Sequence, residues 1–333
     1  MTPASISKVA TVQSPGGCAP ELLGQSDAVT RVREQIDRAA RTDRAVLIVS
    51  EPGSEPESVA RALHDRSAPD GAIFLAIDCK LDGVGRLLFG APAGRRTGDL
   101  EEIGPDGRLA AARSGGTVFL RDVGELPASV QARLARLARD GEALIGGAAV
   151  EMTCRLVAAA GAAIDADAEA GRFRADLFRR LSGHRIELPP LRERGEDVPE
   201  LTVALVAHVA SERSRAVPAF TEAALALLAA LPWPGNVAEL RTVVERLVET
   251  VDGGIVQVEH LLPALRLKGT PPPFVPAGSL REARLRFERH YIAAVLQHHD
   301  WRLADAAQTL GIQRPNLYRK ARQLGLTLTR ITD

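Results

Sequence analysis

The chain has 333 residues, 45% hydrophobic and 25% charged, and its 42 basic and 42 acidic side chains give a formal net charge of zero. That balance fits a globular protein of one to three domains and excludes a bulk electrostatic pull on nucleic acid, so any basic surface must be local. Cys18, Cys79 and Cys154 are too widely spaced for a metal motif and read as thiols of a reducing cytoplasm; no apolar run approaches a membrane span, and the N-terminus lacks the basic-then-apolar order of a secretion signal.

Residues 1–20 are rich in Ser, Pro and Gly and are expected to be flexible. Over residues 21–188 short apolar runs alternate with amphipathic stretches. The runs Ala45–Val49, Ile73–Ile77, Thr117–Leu120 and Leu156–Ala160 suit parallel strands covered on both faces. The stretches Ala28–Ala40 and Ala128–Arg139 carry helical spacing. The fold class is therefore α/β with a parallel sheet. Between β-type Ala45–Val49 and a helix starting near Ser58, the sequence Glu51-Pro52-Gly53-Ser54-Glu55-Pro56-Glu57 has the layout of a phosphate-binding loop.

Residues 189–265 become helical after Leu188-Pro189-Pro190. Val198–Arg213, Thr221–Leu231 and Asn236–Val251 are expected helices, with Thr221 as an N-cap. Residues 266–278 contain Pro271-Pro272-Pro273 and form a stiff linker. Residues 279–333 are a separate helical module. A long amphipathic helix from Ser279 to about His298 carries a wide apolar face (Leu280, Leu285, Phe287, Tyr291, Ile292, Val295 and Leu296). It precedes Ala306-Ala307, which let two helices cross closely, the turn glycine Gly311, and Pro315 in the first turn of a second helix. This pattern is a helix-turn-helix. The module holds ten Arg/Lys against five Asp/Glu, a local basic footprint on a neutral chain. Gln313, Arg314 and Asn316 open the second helix, where base edges are read; Arg319 and Lys320 suit phosphates, and Tyr318 suits phosphates or core packing.

The order of segments resembles the bacterial enhancer-binding proteins that activate sigma-54 RNA polymerase, which carry an AAA+ ATPase domain, a helical lid and a Fis-type helix-turn-helix. The resemblance runs from about Leu22 to Leu326. It is carried by Gly115-Gly116-Thr117-Val118-Phe119-Leu120 with Gly124-Glu125-Leu126-Pro127 (Walker B segment), Gly171-Arg172-Phe173-Arg174 with Asp176 to Leu181 (arginine-finger helix), Leu188 to Arg194 with Glu196-Asp197 (start of the lid), and Trp233-Pro234-Gly235-Asn236-Val237 with Glu239-Leu240 (sensor II segment).

What the resemblance implies for activity is loss. Gly53 and Ser54 keep the loop, but Pro56 stands at the position of the phosphate lysine and Glu55 at a glycine. Arg121-Asp122 replaces the Asp-Glu pair that would hold Mg²⁺ and activate water. Gly161 replaces a sensor asparagine, and Ala238 a sensor II arginine. Lys80 is not expected to reach the loop, and Arg241 is expected to point from a different face of its helix. In Gly94-Arg95-Arg96-Thr97-Gly98-Asp99, matching the sigma-54 contact loop, Gly94, Thr97 and Gly98 persist while the contacting phenylalanine is Arg96. Arg174 and Arg180 match the arginine fingers, either in local ion pairs or lent to a competent paralogue in a mixed ring.

The expectation is a cytoplasmic, sequence-specific regulator that binds double-stranded DNA. It has no catalytic residue, no metal and no required cofactor, with residual ATP or ADP binding left open. Homo-oligomerisation is expected through the C-terminal module, and RNA polymerase contact stays open. The alternatives are an ATP-driven sigma-54 activator with rewired motifs, and a non-catalytic subunit or antagonist in a ring with a paralogous AAA+ activator.

Overall fold

The computed structural model describes residues 22–91, 100–251, 253–265, 292, 296 and 302–324. The chain separates into two compact units, Met1–Arg266 and Leu267–Asp333.

The first unit opens with helix α1 (Asp27–Ala40), followed by strand β1 (Val46–Ser50), α2 (Glu57–Ser67), β2 (Phe74–Asp78), α3 (Val84–Phe89), β3 (Glu101–Ile103), α4 (Arg108–Ala112), β4 (Thr117–Arg121) and α5 (Ala128–Asp140). Then come β5 (Glu142–Ile145), β6 (Ala148–Glu151), β7 (Arg155–Ala160), α6 (Ile164–Glu169), α7 (Ala175–Leu181) and β8 (His184–Leu188). Five strands form one parallel sheet in the order β2-β4-β7-β1-β8. The order follows from burial on both faces. Leu47 and Val49 of β1 pack with Leu120 and Ala158 against α3, α4, α5 and α7, while Val46 and Ile48 pack with Phe119 and Val157 against α1 and α2. Successive side chains alternate between two cores, so the middles of the inner strands β1, β4 and β7 are apolar on both faces.

The four apolar runs all become strands, displaced by at most one residue at either end. The fifth, β8, is an edge strand with Arg185 and Glu187 exposed, which leaves no continuous apolar run to signal it. The β5–β6 hairpin turns on Gly146 and Gly147, both at positive φ (61° and 85°), a geometry that a two-residue hairpin demands.

Four helices make the lid: α8 (Val198–Glu212), α9 (Glu222–Ala230), α10 (Asn236–Thr250) and α11 (Val258–Leu265), with β9 (Ala219–Phe220) paired to β10 (Ile255–Val256). Leu201, Leu205 and Val209 of α8 meet Leu240, Val244 and Leu247 of α10 in one core, the spacing of an amphipathic helix face. Thr221 caps α9, its side chain accepting from Ala224 N at 3.3 Å.

The lid is joined to the α/β part by a buried carboxylate. Asp197, 1% exposed, accepts from Gln25 N and Ser26 N at 2.8 Å and from Ser26 Oγ at 2.6 Å. Ser26 in turn caps α1 through Val29 N. A Cβ on Gly24 would lie 2.3 Å from Asp197 Cγ, so only glycine lets the segment approach.

In the second unit, helix Leu303–Thr309, the turn at Gly311 (φ 65°) and helix Arg314–Gln323 form the helix-turn-helix. Leu317, Ala306 and Ala307 pack with Ile292 and Leu296. The remainder of the expected long helix, the linker at 266–278 and the residues before 22 lie outside the described residues.

Asp197→Ala would orphan two buried donors, Ser26 N and Oγ, each costing about 1–3 kcal/mol, and one part-buried donor, Gln25 N. Urea unfolding should show a loss of about 3 kcal/mol or more, with Asp197→Asn intermediate.

Candidate functional site

The turn between β1 and α2 is largely spent on itself. Ser54 N donates to Glu51 O and Ser58 N to Glu55 O, while Pro56 occupies the N-cap of α2 with no N–H to offer. Gly53 has φ 80°, and a Cβ there would meet Gly235 O at 2.3 Å. Glu55 takes a left-handed φ of 54°, uncommon for a side chain of that length.

A cavity of about 530 Å³ opens beside this turn, at the carboxyl ends of β1, β4 and β7. Gly53, Pro56, Arg121, Asp122 and Gly161 all line it. Ser54 is buried in the same turn, its Oγ without a partner. Ala238 joins through its backbone, its N–H donating to Gly53 O at 3.0 Å.

Every carboxylate of the turn is matched by an arginine from another element. Arg121 of β4 meets Glu57 at 2.5 Å, and Glu57 also holds Arg61 one helical turn on, at 2.8 Å. Arg241 of α10 meets Glu55 at 3.2 Å. Arg192 grips Glu51 with both terminal nitrogens, at 2.6 and 2.8 Å. Arg192 first, and then the Asn236 amide, hold the Glu51 carboxyl down at about 2. Across the cavity Lys80 Nζ lies 2.7 Å from Asp122, which raises the ammonium's pKa. On α8, His208 and Glu212 complete the wall, 3.2 Å apart.

Two expectations are corrected here. Lys80 does reach the cavity: β2 lies beside β4 in parallel, so the turn after Asp78 is delivered next to Asp122, with Lys80 N bonded to Asp78 Oδ1. Arg241 also faces the cavity, because it sits three residues after Ala238, and residues three apart share a helix face. Sequence reasoning also missed the partners of Arg121 and Glu55. Glu57 and Arg241 lie 64 and 186 positions away from them, and only the folded sheet and lid bring them in. Arg194 belongs to the same neighbourhood. It is 3% exposed, its Nε lacks a partner, and burial lowers its pKa against the pull of Asp197 and Glu55.

Arg174 and Arg180 lie outside this cavity. Arg174 pairs with Asp176 at 2.7 Å, and Arg180 donates to Ala138 O at 3.0 Å. Gly94, Arg96, Thr97 and Gly98 lie outside the described residues. On the helix-turn-helix, Gln313, Arg314, Asn316 and Arg319 are exposed and Lys320 half-buried. Tyr318 is 50% exposed, so the core-packing option for it does not hold; Leu317 takes that role. Among the described residues no group of His, Cys, Asp and Glu is placed to hold a metal ion, and no helix is long and apolar enough to cross a membrane.

Three family profiles match in succession: the Sigma-54 interaction domain over residues 22–187, the AAA+ ATPase lid domain over 192–273, and the bacterial regulatory protein, Fis family, over 284–324. The hydrogenase transcriptional regulatory protein HoxA of Cupriavidus necator is 32% identical across 97% of this chain and 69% of its own length. The DNA-binding transcriptional regulator NtrC of Salmonella typhimurium is 34% identical across 93% and 71%. Among solved structures, NtrX from Brucella abortus in complex with ADP superposes with a TM-score of 0.61 at 30% identity, over 92% of this chain and 69% of that one.

In Arg192→Gln the Glu51 carboxyl, titrated by NMR, should move from about 2 back toward the ordinary value of 4.5. Because folding depresses this pKa, the stability it contributes is complete above the ordinary value. That contribution is lost as pH falls toward about 2, and the variant should lack this acid-side dependence.

Proposed function

Since the chain belongs to the family of bacterial sigma-54-dependent transcriptional regulators, with an AAA+-type domain, lid and Fis-type DNA-binding module, we propose that it is a sequence-specific DNA-binding regulator whose AAA+-type domain does not hydrolyse ATP. The observation that carries this reading is the Arg121–Glu57 ion pair. It occupies the place where the family's chemistry needs a carboxylate for Mg²⁺.

The residues present do not fit Mg²⁺–ATP. A phosphate cradle works through free backbone N–H groups and a lysine. Here Pro56 supplies neither, and losing one charge-assisted contact costs about 1.5–3 kcal/mol. Glu55 and Glu57 face the volume that phosphates would enter. Arg121 brings a cation where a dication would sit, and Gly161 and Ala238 offer no side-chain donor. The cations that line the cavity, Arg121, Lys80 and Arg241, are already committed to Glu57, Asp122 and Glu55.

The DNA-binding end supports the positive half of the reading. Arg314 is exposed in the first turn of its helix, with Gln313 and Asn316 exposed beside it, the position from which base edges are read. The AAA+-type domain then serves as a scaffold for oligomerisation or for a partner. Arg96 in place of the phenylalanine of the sigma-54 contact loop argues against polymerase remodelling, since a buried arginine without a partner costs binding energy.

Phosphate release by the purified full chain with ATP and Mg²⁺ should equal the buffer blank; sustained turnover would replace this reading with an active sigma-54 activator of rewired motifs. Arg314→Ala should weaken binding to a selected operator by about 1–3 kcal/mol while leaving non-specific binding nearly unchanged, measured by fluorescence anisotropy at fixed salt.

A further inference from the structure

Glu55 and Asp122 both hold a left-handed backbone at φ 54°, both line the cavity, and both carboxylates are tied to a cation from another element. For a glutamate that conformation is strained, and strain of this kind persists where the surroundings over-determine it. What surrounds Glu55 is the lid. Its Oε1 lies 3.2 Å from Arg241 Nε, with the two side chains only about a quarter exposed. The buried Arg194 guanidinium feels the same carboxylate. One turn before Arg241, the Ala238 N–H crosses to Gly53 O, and the Asn236 amide donates to Pro52 O at 3.0 Å.

We propose that Glu55 is an internal stand-in for a phosphate: its carboxylate draws the lid cation Arg241 onto the turn and latches the lid there without a bound nucleotide. The lid of this chain is then closed by its own sequence rather than by a ligand. The salt bridge is the latch, and the Ala238–Gly53 hydrogen bond is the contact it guards. Because both groups are partly exposed, the latch weakens as ionic strength rises. The inference deepens the reading of the same cavity as free of nucleotide, yet the two can fail separately. Turnover would remove the first, while the behaviour of the latch without nucleotide decides the second.

The reporter is hydrogen exchange at the Ala238 amide in the full chain, without nucleotide. Glu55→Gly relieves the backbone strain and is expected to fold with an unchanged or higher melting temperature. It should nevertheless speed Ala238 exchange by about threefold or more. Glu55→Gln and Arg241→Gln should each do the same, and the double variant should be no faster than either single one. Raising NaCl from 0.1 to 1 M should speed exchange in the wild type and leave Glu55→Gly unaffected. Wild-type exchange rates in Glu55→Gly, or strictly additive effects of the two glutamine substitutions, would overturn the latch. Adding Mg²⁺–ATP should change nothing; slowed exchange on ATP addition would count against the nucleotide-free reading and leave the variant comparison standing.

Discussion

The buried amide of Asn236 is the joint on which this molecule turns. It is fully buried and sits at φ 52°, a left-handed conformation that Asn tolerates better than most residues. Its oxygen accepts from Leu191 N at the start of the lid, and its nitrogen donates to Pro52 O and Glu51 in the turn after β1. One side chain thus binds the turn after β1, the lid entry and the start of α10. The direction of α10 follows from it, and with that direction Ala238 and Arg241 come to face the turn. Trp233 supports the same corner from below, its indole N–H donating to Leu228 O.

Around this joint the chain solves an electrostatic problem locally. Glutamates at 51, 55 and 57 crowd a short turn, and in isolation they would repel one another. Arginines from three different elements, Arg192, Arg241 and Arg121, each take one of them. A protein with no net charge thus gathers opposite charges around this turn, and the partial burial of Arg241–Glu55 strengthens that pair relative to the exposed Arg192–Glu51 pair. The cavity keeps its volume but offers few uncommitted groups to a ligand.

Much of the architecture is legible in the sequence because strands buried on both faces have no polar positions to hide them. The stretches Val118–Leu120 and Leu156–Ala160 within β4 and β7 are of this kind. Where only one face is apolar, as in β8, or where a hairpin depends on a glycine pair rather than on hydrophobic pattern, the signal fades. Pro56, Arg121 and Gly161, singled out along the chain by motif, do come together in the lining of one cavity. The partners of such residues were not legible, because an ion pair such as Glu55–Arg241 joins two segments through the tertiary fold, and pattern along the chain carries no trace of it. The turn after β2 shows the same limit: only the pairing of β2 with β4 reveals that Lys80 ends beside Asp122.

The Arg121–Glu57 pair also constrains how this lineage can change. An aspartate at 121 as a first step would set a carboxylate against Glu57 and leave Arg61 as its one remaining counter-charge among the contacts described. A lysine at 56 would enter a cavity whose acidic side chains, Glu51, Glu55, Glu57, Asp122 and Glu212, outnumber Lys80, Arg121 and Arg241, so its charge alone is not opposed. The ion pair therefore makes the cavity less tolerant of a carboxylate at 121 than of a cation at 56, an asymmetry that Glu57 sets.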